Sequence, residues 1–459
     1  MRLPVPILNA GAGARGGLHG RHADATWSSG ALGQAAWTMP AEPPARLQQR
    51  LVAALATQDA LALGLSITLP FCAVRCLCCD RDVAAGQPPE VLDSYLQHLC
   101  QEIDRLATQV GGGRELLQLH LGGGSANLFS ECDLVGLMQT VRRHWRLPGD
   151  AELSVQCDPR RVGWVQLELL RGLGFGEVQF GVLDLDPQVQ RAIGRLHSAA
   201  LIDDACSLAR ACGIGCVHLG LVVGLPEQTL ASWRTTLQQV IAMAPGRISL
   251  ARYRHQPWRA SGQCAIDPQR LPDPALAQAL TALAGDMLGA VGYRWLGAGL
   301  FVLEDDPLSL AADEGRLRAS LVGHTGHAPM PLLGVGCGAV SDLAGCLLWN
   351  RTTAAAWQAD LDQGRLPVAL AWQADAQAQR RRAAAEHLLC QLELPAALLD
   401  GDLAPLYLAL AQQAPPGSLV RLPDRLVLTS AGRPVLPLLC AQVAGLPVAA
   451  QPPLPAWLA

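Results

Sequence analysis

The chain has 459 residues, of which 50% are hydrophobic and 16% are charged, and its formal net charge is −4. This length allows two or three domains with a large core, and the acidic balance provides no basic surface of the kind that nucleic acid requires. No apolar run reaches the ~18 residues that a membrane-spanning helix needs. The chain has 15 cysteines, an odd number, and they do not form the disulfide framework of a short secreted protein; no signal segment is evident. We therefore expect a cytoplasmic protein without a nucleic-acid partner or membrane span.

The first 60 residues are expected to form a Gly/Ala/Pro-rich extension and a leading helix over Ala45–Leu61. The extension contains Gly11-Ala12-Gly13-Ala14-Arg15-Gly16, which formally matches the dinucleotide motif G-x-G-x-x-G. Further glycines follow where a Rossmann fold would begin a helix. We interpret this match as chance.

A cysteine-rich stretch follows the first strand-like run, Leu65–Leu69. Cys72, Cys76 and Cys79 have the spacing C-x3-C-x2-C. This spacing is too tight for a zinc finger, which needs a second ligand pair further along. Three thiolates around a [4Fe-4S] cluster would leave one iron without a protein ligand, where a chelating cofactor can bind. A zinc knot and a redox patch remain alternatives. Cys78 could compete with Cys79 for an iron, and we include it in the cofactor site.

Strand-like and helix-like runs then alternate every 25 to 40 residues or so. Together with the strand before the cysteines they predict six β/α units and a parallel sheet curved into a partial (β/α)6 barrel, within an α/β fold. The strands are expected at Glu115–Leu121, Glu152–Cys157, Glu177–Val182, Gly215–Val223 and Arg247–Tyr253. The helices between them are expected at Val91–Leu106, Cys132–Trp145, Trp164–Leu173, Ala199–Cys212 and Thr229–Ile241.

A glycine run, Gly122-Gly123-Gly124-Ser125, ends the second of these strands. Glycines let the backbone turn sharply and approach a ligand with its N–H and C=O groups exposed. By itself such a run is more often a plain tight turn. Its place on the same face of the barrel as the cysteine loop favours a binding loop at Gly123, Gly124 and Ser125.

These features together resemble the radical S-adenosylmethionine (SAM) enzymes, and in particular the oxygen-independent coproporphyrinogen III oxidase family. The resemblance covers roughly Leu65–Cys440. It rests on the segments Pro70-Phe71-Cys72, His120-Leu121-Gly122-Gly123-Gly124-Ser125, Asp158-Pro159-Arg160, Phe180-Gly181-Val182, Val189-Gln190-Arg191, Gly224-Leu225-Pro226-Glu227-Gln228-Thr229, Leu333-Gly334-Val335-Gly336 and Leu428-Thr429-Ser430-Ala431-Gly432-Arg433.

The resemblance implies that Cys72, Cys76 and Cys79 hold a [4Fe-4S] cluster and that the glycine loop holds the amino end of SAM. Arg195 stands at the position of the arginine that contacts SAM. The implied reaction is oxidative decarboxylation of two propionates of coproporphyrinogen III to vinyl groups, in which a 5′-deoxyadenosyl radical removes a hydrogen from the propionate β-carbon. A tetrapyrrole substrate, an electron donor and a monomeric chain are also expected.

Several positions depart from the family pattern. Gln156 replaces a glutamate that could hold the ribose hydroxyls, and Arg81 replaces a fourth cysteine. The other departures are Ser66, Leu183 and Gly220. A haem-trafficking or scaffold protein without SAM chemistry, or a radical SAM enzyme acting on another tetrapyrrole, therefore remain alternative hypotheses.

The expected domains are the extension with its leading helix at 1–60, a radical SAM barrel at 61–300, a connecting segment at 301–380, and a C-terminal helical, winged-helix-like domain at 381–459. Arg160, Arg252, Arg254 and Arg195 are expected near strand ends, where arginines pair well with the carboxylates of a porphyrinogen.

Overall fold

The computed structural model describes residues 46, 49–50, 52–54, 62–81, 83–258, 260–343, 345–398, 403–412 and 414–445. The glycine motif of the extension lies outside the described residues, as does much of the expected leading helix. The described residues between 46 and 54 are helical.

The described strands are, in chain order, β1 (Leu63–Thr68), β2 (Phe71–Cys72), β3 (Ala84–Ala85), β4 (Leu116–Gly122), β5 (Glu152–Cys157), β6 (Glu177–Leu183), β7 (Cys216–Val223), β8 (Arg247–Arg252), β9 (Tyr293–Trp295), β10 (Leu300–Leu303), β11 (Arg318–Ser320), β12 (Gly323–Thr325), β13 (Leu332–Val335), β14 (Val340–Leu343), β15 (Cys346–Asn350), β16 (Val368–Gln373), β17 (Glu393–Pro395), β18 (Leu419–Arg421) and β19 (Arg425–Leu428).

Twelve of these strands form one sheet in the order β16-β15-β14-β13-β1-β4-β5-β6-β7-β8-β10-β9. The run from β13 through β8 is parallel throughout. The six parallel strands predicted from the sequence, β1 and β4 to β8, are therefore confirmed. Antiparallel strands extend the sheet at both ends, β14 to β16 beyond β13 and β10 with β9 beyond β8.

After β3 the described α-helices are α1 (Pro89–Val110), α2 (Glu131–His144), α3 (Trp164–Gly172), α4 (Pro187–Ile193), α5 (Ala199–Ala211), α6 (Leu230–Ala242), α7 (Pro274–Ala290), α8 (Pro307–Asp313), α9 (Ala354–Asp362), α10 (Ala376–Gln391), α11 (Leu403–Ala411) and α12 (Leu436–Val443).

The helices that follow the parallel strands bury one apolar face, and several of them begin at side-chain caps. Ser130 and Thr229 each form a capping box at the start of α2 and α6, and Ser198 caps α5. In α1 the residues Leu92, Leu96, Leu99, Ile103 and Leu106 are buried at helical spacing. These faces cover the outer side of the sheet, so each strand-to-helix loop lies at the carboxyl end of its strand.

The interior of the curved sheet is lined by the other side of each strand. In β5, Leu153, Val155 and Cys157 are buried against the helices, whereas Ser154 and Gln156 alternate with them and face inward. A 2.8 Å hydrogen bond joins Oγ of Ser154 and Nδ1 of His120 in the neighbouring strand β4. The interior is therefore polar, while the helix-facing layer is apolar.

The C-terminal part packs on one end of this sheet. Strands β17, β19 and β18 form a small antiparallel sheet, and α10 and α12 pack against it through a second apolar cluster that includes Leu388, Leu426 and Leu439. The same cluster includes Leu300 and Val302 of β10, which join the two parts. No helix in the described part of the chain is both long and apolar enough to cross a membrane.

Candidate active site at the carboxyl end of the parallel strands

The three cysteines with the C-x3-C-x2-C spacing lie on one loop above β1. Cys72 is the second residue of β2, which pairs in parallel with β3 and so closes the loop at its base. A backbone hydrogen bond of 3.2 Å from Cys79 N to Cys76 O forms a turn between the second and third cysteines. The cysteine side chains are half-buried. All three thiols thus share one short loop at the expected end of the barrel.

Burial makes the thiols of Cys72 and Cys79 poor acids in the absence of a bound cation. It raises the pKa of Cys79 to about 11, although a hydrogen bond to the carbonyl of Arg81 and the charge of Arg81 oppose the shift. Burial also raises the pKa of Cys72, against the lowering effects of Ser125 and Arg195. Thiolates form in such a place when a metal centre replaces their protons. The chemistry of the loop therefore suits a bound metal cluster.

Cys78 has a different environment from its neighbours. It packs against an apolar cluster formed by Val189, Ile193 and Leu225. Burial raises its pKa well above the ordinary range, and the charges of Cys76 and Cys79 add to this effect. The carbonyl of Cys78 accepts a 3.3 Å hydrogen bond from Nε2 of Gln263. Its side chain is thus surrounded like a packed thiol, and its place in the cofactor site stays a prediction.

The glycine loop packs directly on the strand that carries Cys72. Gly123 has φ +91°, which favours glycine, and a Cβ on Gly124 would lie 2.3 Å from the carbonyl oxygen of Phe71. The amide of Ser125 donates a 2.8 Å hydrogen bond to the same oxygen. The hydroxyl of Ser125 lies 3.9 Å from Sγ of Cys72. The two motifs that the sequence placed on different strands are therefore adjacent.

Arg195 reaches the same place from the loop after α4. Its Nη1 donates to Sγ of Cys76 over 3.3 Å, and its Nε and Nη2 donate to the carbonyl of Gly181 at the end of β6. The guanidinium is thus fixed beside the thiol of Cys76, where it could pair with an anionic group of a bound ligand. This location supports the prediction that Arg195 contacts the cofactor.

Gln156 faces the interior at the end of β5, where its Oε1 accepts a 3.1 Å hydrogen bond from Nη1 of Arg81. The next turn of the chain is held by reciprocal bonds of 2.9 Å between Asn127 and the backbone of Asp158. Arg160 binds the Asp158 carboxylate with both Nε and Nη2. Burial would raise the pKa of Asp158, but Arg160 and Arg195 outweigh it and lower that pKa. Arg160 is therefore already paired within the chain.

The other departures from the family pattern lie around the same opening. Ser66 pairs with His120 across β1 and β4, on the interior side of the sheet. Gly220 in β7 is closely surrounded, since a Cβ there would contact Oγ of Ser249 at 3.5 Å. Leu183 has φ +67° and packs against the apolar cluster beside Cys78. These positions supply few polar groups to a ligand.

A buried carboxylate below the opening was missed by sequence reasoning. Glu102 of α1 accepts hydrogen bonds from the amide of Gly336, from Nδ2 of Asn350 and from Nε1 of Trp357. Burial raises its pKa to about 7 against the effect of these donors. A charged residue within an apolar helical stripe is the signal that could have revealed it. It fixes the Gly336 loop against the end of β1.

The donor set fits a cluster. Among the residues that the structure describes, no three His, Cys, Asp or Glu side chains converge as a single metal ion requires. In a [4Fe-4S] cubane each thiolate binds a different iron, so the three sulfurs surround the cluster instead of meeting at one point. Cys72, Cys76 and Cys79 would hold three of the irons.

Comparisons with known proteins agree with this geometry. Residues 66–240 match the family model described as the radical SAM superfamily. The chain is 32% identical over 334 residues to the oxygen-independent coproporphyrinogen III oxidase of Pseudomonas aeruginosa, covering 72% of this chain and 73% of that protein. It is 30% identical to the protein of the same name from Synechocystis, covering 74% and 72%.

A solved structure extends the similarity to the whole fold. Coproporphyrinogen III oxidase from Escherichia coli, described as a radical SAM enzyme, superposes with a TM-score of 0.81 at 27% identity, covering 86% of this chain and 93% of that one. Members of the radical SAM superfamily use a [4Fe-4S] cluster and SAM. The chain belongs to the oxygen-independent coproporphyrinogen III oxidase family of radical SAM oxidoreductases.

Proposed function

We propose that this protein converts two propionate side chains of coproporphyrinogen III to vinyl groups by oxidative decarboxylation, giving protoporphyrinogen IX. Membership in the family and the names of its relatives support the substrate class. The observation that carries the proposal is the contact between the two cofactor-binding motifs: Ser125 donates to the backbone of Phe71 and its hydroxyl lies beside Sγ of Cys72.

The chain supplies binding and orientation at this site. Cys72, Cys76 and Cys79 would hold the cluster, and Gly123, Gly124 and Ser125 would bind the amino end of SAM through backbone groups. When bound, the cluster and SAM supply the one-electron chemistry that removes a hydrogen from the substrate. Arg195 would pair with the SAM carboxylate or ribose while it holds Cys76. Gln156 offers an amide where a ribose hydroxyl needs a partner.

Carboxylates of the substrate require cations near the opening. Arg160 is paired with Asp158, so it is less suited to this role than the sequence suggested. Arg252 and Arg254, at and just after the end of β8, are exposed. A guanidinium can bind a carboxylate with two parallel hydrogen bonds, so these two exposed residues are candidates for this role. We also propose that a separate one-electron donor serves this site and that the protein acts as a monomer.

The proposal is tested by anaerobic reconstitution with iron and sulfide, followed by incubation with SAM, a reductant and coproporphyrinogen III. The expected result is 5′-deoxyadenosine together with the loss of two carboxyl groups from the tetrapyrrole, and neither product with Cys76→Ala. SAM cleavage that leaves coproporphyrinogen III intact would indicate a different tetrapyrrole. Haem binding without SAM cleavage, by protein that carries its cluster, would indicate a trafficking role instead.

A further inference from the structure

Two polar side chains of helix α1 are buried next to the loops of the candidate site. Tyr95 and Glu102 are each 1% exposed, and they lie about two helical turns apart on the buried face of α1. A phenol and a carboxylate in such a place need hydrogen-bond partners. Both find them in the Gly336 loop, which follows β13 and includes Cys337.

The hydroxyl of Tyr95 joins the ends of two adjacent parallel strands. The pairing of β1 with β13 ends at Ile67 and Val335. Beyond that point the amide of Cys337 donates a 2.8 Å hydrogen bond to the Tyr95 hydroxyl, which in turn donates one of 2.8 Å to the carbonyl of Thr68. The hydroxyl thus takes the place of a direct bond between the two backbones, and it holds the last residue of β1.

The carboxylate of Glu102 fixes the position of the Gly336 loop. One of its oxygens accepts hydrogen bonds from the amide of Gly336 and from Nε1 of Trp357, and the other accepts one from Nδ2 of Asn350. The same Nδ2 donates to the carbonyl of Gly336 over 3.0 Å. A Cβ on Gly336 would lie 2.6 Å from the carbonyl oxygen of Thr68. The loop and the strand end are therefore in close contact.

The strand end that these residues hold is also in contact with the glycine loop. A Cβ on Gly123 would lie 2.8 Å from Cγ2 of Thr68, and the amide of Leu69 donates a 2.7 Å hydrogen bond to the carbonyl of Gly122. The chain reaches Cys72 three residues after Leu69. A displacement at Thr68 would therefore change the position of the glycine loop relative to the first cysteine.

Aromatic packing connects Tyr95 to the same loops. Its ring stacks on Trp357 with 4.6 Å between the ring centroids, and it packs edge-on against Phe71 with 5.0 Å between them. Phe71 packs in the same edge-on way against Phe129, at 5.9 Å. The carbonyl of Phe71 is the group that accepts the hydrogen bond from the amide of Ser125. The ring of Tyr95 thus supports the residue that joins the cysteine loop to the glycine loop.

We propose that Tyr95 and Glu102 are positioning residues for SAM, because they hold the end of β1 where the glycine loop can bind the cofactor. The inference rests on the proposed function, since it requires that the glycine loop binds SAM. Neither residue needs to touch the cofactor. A displacement of ~1 Å among groups that orient a reacting cofactor can lower a rate about a hundredfold. The loss of one hydroxyl at the strand end is a smaller perturbation, so we expect an effect of about tenfold.

The first variant, Tyr95→Phe, keeps the packed ring and removes both hydrogen bonds of the hydroxyl. We expect it to keep the iron and sulfide of the wild type and to raise the KM for SAM about tenfold in the formation of 5′-deoxyadenosine. The matched control is Tyr293→Phe. The Tyr293 hydroxyl is also buried, and it donates to the carbonyl of Pro245 at the opposite, amino end of the parallel strands. This control should keep the wild-type KM.

The second variant, Glu102→Gln, tests the carboxylate with a side chain of the same size. The amide oxygen can accept from Gly336 and Trp357, but its N–H groups then point toward Nδ2 of Asn350, which is itself a donor. This contact should displace the Gly336 loop. We therefore expect the KM for SAM to rise in this variant as well, again with wild-type iron and sulfide content.

The free energy of unfolding of each variant is measured by urea titration, so that a general loss of stability is separated from a loss of SAM binding. A KM for SAM that is unchanged in both Tyr95→Phe and Glu102→Gln, or that rises equally in Tyr293→Phe, overturns this inference alone. A wild-type chain that takes up no iron and sulfide overturns the proposed function together with it. If Tyr95→Phe does not fold, the KM of Glu102→Gln decides the outcome.

Discussion

A single methyl group at Gly124 tests whether the contact between the glycine loop and the cysteine loop matters. In the wild type, a Cβ at this position would lie 2.3 Å from the carbonyl oxygen of Phe71 and 2.5 Å from that of Leu69. Both atoms belong to the backbone that leads into Cys72, so they cannot move aside as a side chain could. The substitution Gly124→Ala must therefore separate the two loops.

The required displacement can be judged from these distances. Heavy-atom contacts to a Cβ are almost never below 3.0 Å, so the loops must separate by about 0.7 Å or more, and overpacking of this kind costs about 1–3 kcal/mol of folding stability. A misplacement of ~1 Å among groups that bind or orient a reacting cofactor can lower a rate about a hundredfold. We therefore expect Gly124→Ala to lower the rate of SAM cleavage strongly and the free energy of unfolding only modestly.

The assays are 5′-deoxyadenosine formation by the reconstituted protein and the midpoint of urea unfolding. Gly136→Ala is the control, because its added methyl group meets no atom within 4 Å, and alanine in a helix is favoured over glycine by ~1 kcal/mol. That control should keep full cleavage and equal or higher stability. Wild-type cleavage by Gly124→Ala would refute the proposed role of the glycine loop.

Three further predictions concern the cysteines and the buried charges. Cys78→Ala should keep the iron and sulfide of the wild type, whereas Cys76→Ala should lose them; equal loss in both would show that Cys78 is a ligand. Burial raises the pKa of Glu102 from 4.5 to about 7, so the free energy of unfolding should fall by about 3 kcal/mol as the pH rises from 4.5 to 7. Urea titrations at several pH values should show a smaller fall for Glu102→Gln than for the wild type. An equal fall in both proteins would contradict the assignment. Arg247→Met leaves the Glu177 carboxylate buried without its 2.7 Å partner and should lower the free energy of unfolding by about 3–5 kcal/mol. The control Arg234→Met, on an exposed helix face, should not have this effect. Equal losses of stability in the two variants would contradict the prediction.

The parallel sheet was predictable because its signals are local. Each of the strands β5 to β8 is a short apolar or alternating run followed by a helix, and this succession admits few other topologies. The expected and observed boundaries differ by one or two residues for most elements. Strand β6 ends one residue later than expected, at Leu183, whose positive φ is not indicated by any pattern of apolar residues.

The antiparallel edges could not be predicted in the same way. Strands β13 to β16 pair at one end of the sheet and join β1, more than 260 residues earlier in the chain. Their register depends on close backbone contacts such as that at Gly334, where a Cβ would lie 2.3 Å from the carbonyl oxygen of Val340. Contacts of this kind form only when the sheet is assembled, and the only sign of them in the sequence is a glycine.

The candidate site likewise has features that local sequence patterns indicate and features that depend on contacts between distant segments. The spacing of Cys72, Cys76 and Cys79 is a local pattern, so a ligand set can be proposed from it without knowledge of distant contacts. The bond between Arg81 and Gln156 and the three donors around Glu102 join distant segments, and each residue alone has no diagnostic pattern. The sequence analysis interprets positions 81 and 156 as departures from the family pattern, but only the structure shows that the two side chains touch.

The central claim is that three thiolates of one loop hold a cluster with one iron open to SAM. It is tested most directly by the electron paramagnetic resonance spectrum of anaerobically reconstituted and reduced protein, recorded with and without SAM. The account predicts one [4Fe-4S] cluster per chain, with a signal that changes when SAM is added. Uptake of zinc in place of iron and sulfide, or a cluster signal that SAM leaves unchanged, would contradict it.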